Sequence, residues 1–405
     1  MRFRLHAGYG GTHAAYWAAY AAANTFASAF LLDRGYTNSQ IGLILATANL
    51  IAICMQPLLA DLADRSQKVS LIGMTQLANT FIGILLLLCL FIPKACLALS
   101  VIYVMLLAWQ MALRPLFNSL SSRLEESGYK INFGATRSMG SLSFAIVCGV
   151  LGGLSEKFGT QVFPITGEIF LLLLMMVLFF LNRTYHRACG QRTLGGVGYA
   201  NVEGEKEIDL LTFIRRNRLF LLVNVGGAGI FFSNTMTSNF MLQIVESIGG
   251  TSGDMGTSFA LMAFLEMPPL IFFEKIHQRI SNRILLEFGA VCFAIKIVLL
   301  FFARSVPMLH AAQCFQLTSF GIFLPAMVSF IDETMEKGER VKGQALYTMM
   351  MTLASIFASL VGGFVLEYQG VSAMLLVCVG VMVVGAVLFI MAVRWMEGSV
   401  KARGE

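Results

Sequence analysis

Residues 57–65 read PLLADLADR, and six apolar runs later residues 269–279 read PLIFFEKIHQR. A second correspondence lies further along. The run that opens FGATRSMGS (133–141) closes GGLSEKFG (152–159), and the run that opens KGQALYTMM (342–350) closes GGFVLEYQG (362–370). The members of each pair occupy equivalent places in the two halves of the chain. A doubled six-run unit is the pattern on which the fold reading rests.

The runs are long enough to be membrane helices. About 20 apolar residues cross a bilayer core of about 30 Å. We place spans at 10–32, 38–60, 69–92, 96–120, 132–155 and 161–182, then 219–244, 253–273, 284–304, 308–331, 343–366 and 371–393. The 405-residue chain is 57% hydrophobic and 13% charged, where a soluble domain averages about 25% charged. Short connections leave no room for a soluble catalytic domain. The expected fold is therefore an all-α membrane protein of twelve transmembrane helices in two six-helix halves, 1–182 and 219–405, joined by a central loop, 183–218. Parallel six-span repeats with a solute site near the bilayer midplane are one architecture of secondary transporters. Met1–Gly10 runs straight into a full-length span without an A-x-A-like site, so no cleaved signal peptide is expected.

Basic residues orient this arrangement. With both termini inside, 22 of the 29 Lys and Arg fall in cytoplasmic segments, and four (Arg34, Lys94, Lys157 and Arg304) fall outside. That asymmetry satisfies the positive-inside rule. The net charge of +6 then reflects topology and gives no support to a nucleic-acid partner. The loop 183–218 holds the largest basic cluster, together with GGVG and EGEKE, and reads as a linker. The eight cysteines are scattered without a C-x-x-C pair and read as small apolar residues, neither disulfides nor metal ligands. No phosphate loop, H-E-x-x-H or G-x-S-x-G is present. An ATP-driven pump and the common hydrolases are excluded. Nothing in the chain reads as an enzyme, and no cofactor is expected beyond a proton gradient.

Glu266 and Lys296 are opposite charges inside spans eight and nine. A charge at the bilayer centre costs about 2.5–3.5 kcal/mol on insertion scales, so it is kept when it is paired or functional. Two readings stand. The two form a static buried pair, or Glu266 is a protonatable solute ligand whose proton affinity changes as the pair opens. Arg114 shares a helical face with Gln110 and Asn118, and that polar stripe must face protein or water. Arg114 reaches a solute site, or else pairs with Asp61 or Asp64 at the end of span two as a conformational gate. Tyr16, Tyr20, Asn24 and Ser28 make one face of span one. Ser233, Asn234, Thr237, Ser238 and Asn239 make a polar patch in span seven. Each set reads as solute contacts or as interhelical hydrogen bonds. His13 reads as interfacial, Asp332 as an interface residue, and Glu168 as a charge without an assigned partner.

These motifs resemble the major facilitator superfamily, and within it the oligosaccharide:proton symporters typified by lactose permease, with the related phenylpropionate permeases. The signature Q-P-L-x-G-x-L-x-D-[KR] of that branch appears here as Gln56-Pro57-Leu58-Leu59-Ala60-Asp61-Leu62-Ala63-Asp64-Arg65, with Ala60 replacing the glycine. The pattern [FY]-G-x-x-R-x-x-G is met by Phe133, Gly134, Arg137 and Gly140. Glu266 matches the buried glutamate of span eight, and Lys296 replaces an arginine in span nine.

The resemblance implies a solute site that includes Arg137, with Asp61, Asp64 and Arg65 acting as a gate. It also shows departures. The acidic partner of the span-five arginine is Asn118 here, the stacking tryptophan is Phe144, and the span-ten histidine and proton-carrying glutamate are Gln316 and Ser319. The span-seven aspartate falls near Asn234 and the span-eleven lysine near Met351. Galactoside specificity is not implied, and Glu266 is left as the coupling candidate.

The expected function is alternating-access uptake of a small hydrophilic solute, a sugar or oligosaccharide, with a proton. Two arginines without the acidic partner make an organic-anion permease, for an arylpropionate or sugar acid, the alternative. A drug-efflux antiporter is disfavoured because GVLGG (149–153) lacks the proline of G-P-x-x-G-G, and an uncoupled facilitator stays open. The resemblance implies a monomer in the lipid bilayer of a bacterial inner membrane, with the solute and protons as partners.

Overall fold

The computed structural model describes residues 2–65, 71–126, 133–189, 210–336 and 339–404. Among these residues the backbone is helical and forms no strand. Ten helices are individually long and apolar enough to cross a membrane. The last, Arg340–Gly398, has 59 residues and is long enough for two crossings. Gly370, at φ 84° and ψ 179°, divides it into spans eleven and twelve. The remaining crossing is span one, which is broken into Arg2–Tyr20, a π-helical turn at Ala21–Thr25, and Ala27–Asp33. The twelve-span expectation therefore holds.

Spans two to six are Asn38–Arg65, Leu71–Phe91, Leu97–Glu126, Phe133–Phe158 and Val162–Cys189. Span seven runs Arg218–Asn239, breaks at Phe240, and continues as Met241–Ser247. Spans eight and nine are Ser252–His277 and Asn282–Phe302. Span ten is Val306–Gln313, a 3-10 turn Cys314–Gln316, and Phe320–Thr334. Most of the expected central loop lies outside the described residues; its end, Leu210–Arg216, is a short helix.

The repeat reappears in the backbone. The described residues with positive φ are Gly35, Gly159, Gly249 and Gly370, at 88°, 78°, 79° and 84°. Gly35 and Gly249 follow spans one and seven, and Gly159 and Gly370 follow spans five and eleven. Each pair is six spans apart. Only glycine takes such a φ without steric cost, which makes it the usual residue just past a helix end. The closing motifs GGLSEKFG and GGFVLEYQG thus share a physical cause, a helix stop at the same place in each repeat.

The chain clusters into two compact units. One is Met1–Asn201 with Thr251–Ala263, and the other is Val202–Gly250 with Phe264–Glu405. Small residues let helices approach closely inside each, as is usual where no hydrophobic effect drives helix association. In the first unit Ser155 bonds to Ser252 at 2.9 Å, and the Gly253 N–H donates to Glu156 Oε1 at 2.7 Å. That carboxylate caps the start of span eight, where helix N–H groups lack partners. In the second unit spans seven and twelve meet at Gly226, Gly229 and Gly385.

A cluster of ion pairs closes one end of the second unit. Arg283 donates to Glu287 and Glu397, each at 2.8 Å, and Arg394 donates to Glu287 at 2.7 Å, joining spans nine and twelve. Gln344 donates to Asp332 at 3.1 Å, so Asp332 ties span ten to span eleven.

A Cβ at Gly226 would stand 2.5 Å from the Phe389 backbone nitrogen, whereas one at Gly153 would meet nothing within 4 Å. Gly226→Val is expected to lower stability by about 3 kcal/mol or more through overpacking, and Gly153→Ala to leave the melting temperature of the detergent-solubilised protein nearly unchanged.

Candidate functional site

The first unit gathers two arginines around one tryptophan. Arg137 lies 4.3 Å and Arg114 5.2 Å from the Trp17 ring, and Arg114 lies 5.1 Å from the Tyr20 ring. Trp17 packs edge-on against Tyr20 at 5.2 Å and Phe144 at 6.3 Å. The local sequence explains the arrangement. A Cβ at Gly140 would stand 2.5 Å from Trp17 Cδ1, so the missing side chain seats the indole. Arg137, three residues earlier and hence on the same helical face, covers its ring. A guanidinium over an aromatic face gains about 0.5–1 kcal/mol at exposed sites and about 2 where desolvated.

Tyr16 supports this cluster from behind. It donates to the Gln110 carbonyl at 2.6 Å and packs against Phe117 at 4.8 Å, which fixes span one against span four. Arg114 lies against the Trp17 and Tyr20 rings with the Tyr16 and Tyr20 hydroxyls in reach, and Asp61, of the proposed gate residues the one whose side chain is described, is exposed. The side chains of Asn118, Asp64 and Arg65 lie outside the described residues.

Sequence reasoning missed Trp17. The i, i+4 reading from Tyr16 to Tyr20 passed over it, although Trp17 and Tyr20 are an i, i+3 pair that must be neighbours. The same reading continued to Ser28, and the π-helical turn at Ala21–Thr25 breaks it. One added residue rotates the following helix by about 100°. Ser28 is buried in consequence, while Asn24 sits half-buried in the turn itself. His13 is also buried rather than interfacial, edge-on to Tyr9 at 4.8 Å, because the helix begins at Arg2 and carries His13 into the packed region.

The second unit centres on Lys296. Its side chain is 1% exposed, and Nζ donates to Gln316 Oε1 at 2.6 Å and to Asn234 Oδ1 at 3.4 Å. Glu266 is close enough for its charge to act on Lys296, but the direct acceptors are two neutral amides. Helix irregularity brings these groups together. Span ten turns 3-10 at Cys314–Gln316 and resumes α-helix at Phe320, and this break presents Gln316 to Lys296. On the other side Gly321 packs against the Glu266 backbone and Pro269, where a Cβ would stand 2.5 Å from Pro269 Cγ. Discontinuous helices are tolerated at membrane depth where they are buried in protein or line a polar site.

Other candidates have structural duties. Ser319 is fully buried and donates to the Phe315 carbonyl at 2.7 Å. Asn239 donates to Ser359 at 2.9 Å, joining spans seven and eleven. Ser233 donates to the Cys378 carbonyl at 2.8 Å, and Thr237 and Ser238 bond to their own helix. Asn234 alone of the span-seven patch reaches the lysine. Glu168 packs its carboxylate against Gly83 of span three. Among the described residues no group of three His, Cys, Asp or Glu side chains converges as a metal site.

Twelve helical crossings, a doubled six-span unit and a charged cluster inside each unit define a polytopic membrane transporter. A family profile described as "MFS_1 like family" matches residues 9–377. The chain belongs to that family and is an integral membrane transporter, not an enzyme. It is 22% identical over 364 residues to the uncharacterized transporter YwbF of Bacillus subtilis, covering 85% of this chain and 82% of that protein. It is 25% identical over 349 residues to a maltose permease of Geobacillus stearothermophilus, covering 84% and 82%. A crystal structure of a mutant nucleoside transporter NupG superposes with a TM-score of 0.79 at 14% identity, covering 96% of this chain and 99% of that one. These named relatives are bacterial, and the protein belongs in a bacterial inner membrane.

Gln316→Leu leaves a buried ammonium short of its nearest acceptor. It is expected to destabilise the protein by about 1–3 kcal/mol, and Lys296→Met in the same chain to recover most of the loss, because removing both partners of a buried bond is far less costly than removing one. Melting of the single and double variants in detergent measures the coupling.

Proposed function

We propose that this transporter takes up a sugar or oligosaccharide together with a proton, by alternating access, as a monomer with both termini in the cytoplasm. The observation that carries the reading is the Lys296 cluster. A fully buried ammonium faces two amide oxygens, with a carboxylate, Glu266, acting on it from span eight. Amides are groups that hold a polyol, through hydrogen bonds to its hydroxyls. The 25% identity to a maltose permease over most of both chains supports a sugar.

Glu266 is the group assigned to proton exchange. Gln316 and Ser319 do not ionise in the physiological range, and Glu266 is half-buried beside the lysine whose charge it senses. A solute or a change of access that alters the Lys296–Glu266 spacing alters the proton affinity of the carboxylate, which links proton binding to the conformational change.

Proteoliposomes loaded at alkaline pH and diluted into acidic buffer with labelled maltose test the proposal. Accumulation above the equilibrium level is expected, and it should collapse when the gradient is dissipated. Glu266→Gln should retain maltose exchange at zero gradient while losing gradient-driven accumulation. Equal uptake with and without the gradient would remove proton coupling from the proposal.

A further inference from the structure

Arg114 lies deep in the 30-residue helix Leu97–Glu126, yet its surroundings are aromatic. Trp17 and Tyr20 lie 5.2 and 5.1 Å from its guanidinium carbon, and the Tyr16 and Tyr20 hydroxyls are within its hydrogen-bonding reach. Among the described residues no carboxylate stands within ion-pair distance of it, and its buried Nε has no acceptor. The second guanidinium, Arg137, covers the same indole at 4.3 Å and donates to Ser141 at 3.5 Å.

Ring faces and edge donors do different work for an arginine. Stacking satisfies the flat faces of the cation but takes none of its five N–H donors. Two tyrosine oxygens serve part of that edge, and Nε with its neighbouring Nη forms the fork that accepts a carboxylate side-on. Charges inside a membrane are retained for pairing or for function. Packing against two rings also fixes the guanidinium before any ligand arrives, which reduces the ordering cost of binding.

We propose that Arg114 anchors the carboxylate of an anionic solute whose ring lies along Trp17 and Phe144. The shared chemistry is a carboxylate attached to a flat apolar or pyranose face, and sugar acids and arylpropionates both supply it. The assignment rests on reading this chain as a solute symporter; a sugar acid would narrow the solute of that reading, and an arylpropionate would replace the sugar while keeping the symport. Arg137, 4.3 Å from the same indole ring, adds positive potential that favours the same anion.

Matched probes in the unaltered full-length protein provide the test. Thermal unfolding in detergent is followed with 3-phenylpropionate against 3-phenylpropionamide, with glucuronate against glucuronamide, and with maltose. A ligand of the folded state raises the melting temperature by mass action, so millimolar binding is visible. At least one acid should stabilise while its neutral amide does not, and which acid does so identifies the source of the carboxylate. Arg114→Gln should weaken that acid by about 30-fold or more, the usual consequence of truncating one partner of a buried charge pair. Arg114→Lys, which keeps the charge and loses the fork, should retain part of the binding.

Equal stabilisation by acid and amide, an acid shift that survives Arg114→Gln in a folded variant, or no shift with either acid would overturn the assignment. If Arg114→Gln does not fold, the acid–amide comparison in the unaltered protein decides. Stabilisation by maltose alone would also overturn it while leaving sugar symport standing. An acid that binds but whose uptake ignores a pH gradient would preserve the anion site and remove the proton coupling.

Discussion

A charged or hydrogen-bonding group placed in hydrocarbon must find its partners inside the protein, because no water is there to supply them. The two polar clusters follow from that constraint. Lys296 meets it with the amide oxygens of Gln316 and Asn234, and Arg114 meets it in part, with the rings and hydroxyls of span one, while its Nε has no acceptor among the described residues. Neither solution is a simple ion pair, and each requires a particular backbone. Gln316 reaches the lysine because span ten tightens to 3-10 geometry beside it. Trp17 packs near two arginines where Gly140 leaves room for an indole.

Helix irregularity is accordingly concentrated where polar groups gather. Span one loosens to a π-helical turn at Ala21–Thr25, and span seven, six spans later, breaks at Phe240. In the first unit the break begins directly after Tyr20 of the cluster, and in the second it lies six residues, under two turns, beyond Asn234. Irregular turns free backbone groups and turn side chains to new directions, and neighbouring helices make them affordable. Straight helices would present the same side chains on different faces.

The replacements at family positions also have a consistent physical reading. Gln316 stands where the resemblance implied a histidine, and it serves as an acceptor to a lysine that replaces an arginine. Phe144 stands where a stacking tryptophan was implied, and Trp17 of span one lies 6.3 Å from it. Such exchanges erase the positional match that sequence reading depends on.

Span number, the doubled six-span unit, the membrane environment and the two intramembrane charges were all legible in the sequence. They depend on local quantities: apolar run length, helix-stop glycines and the cost of a charge in lipid. The partners of those charges were not legible. The choice between Asp61 and Trp17 for Arg114, or between Glu266 and Gln316 for Lys296, depends on which faces of distant helices meet. A single π-helical turn or 3-10 turn changes that by rotating everything beyond it. Ser28 fitted a polar face in one dimension and is buried in three, while Ser319 bonds to the Phe315 carbonyl and Asn239 to Ser359 of another helix. Local sequence sets what a segment must bury, and only the tertiary structure decides against what.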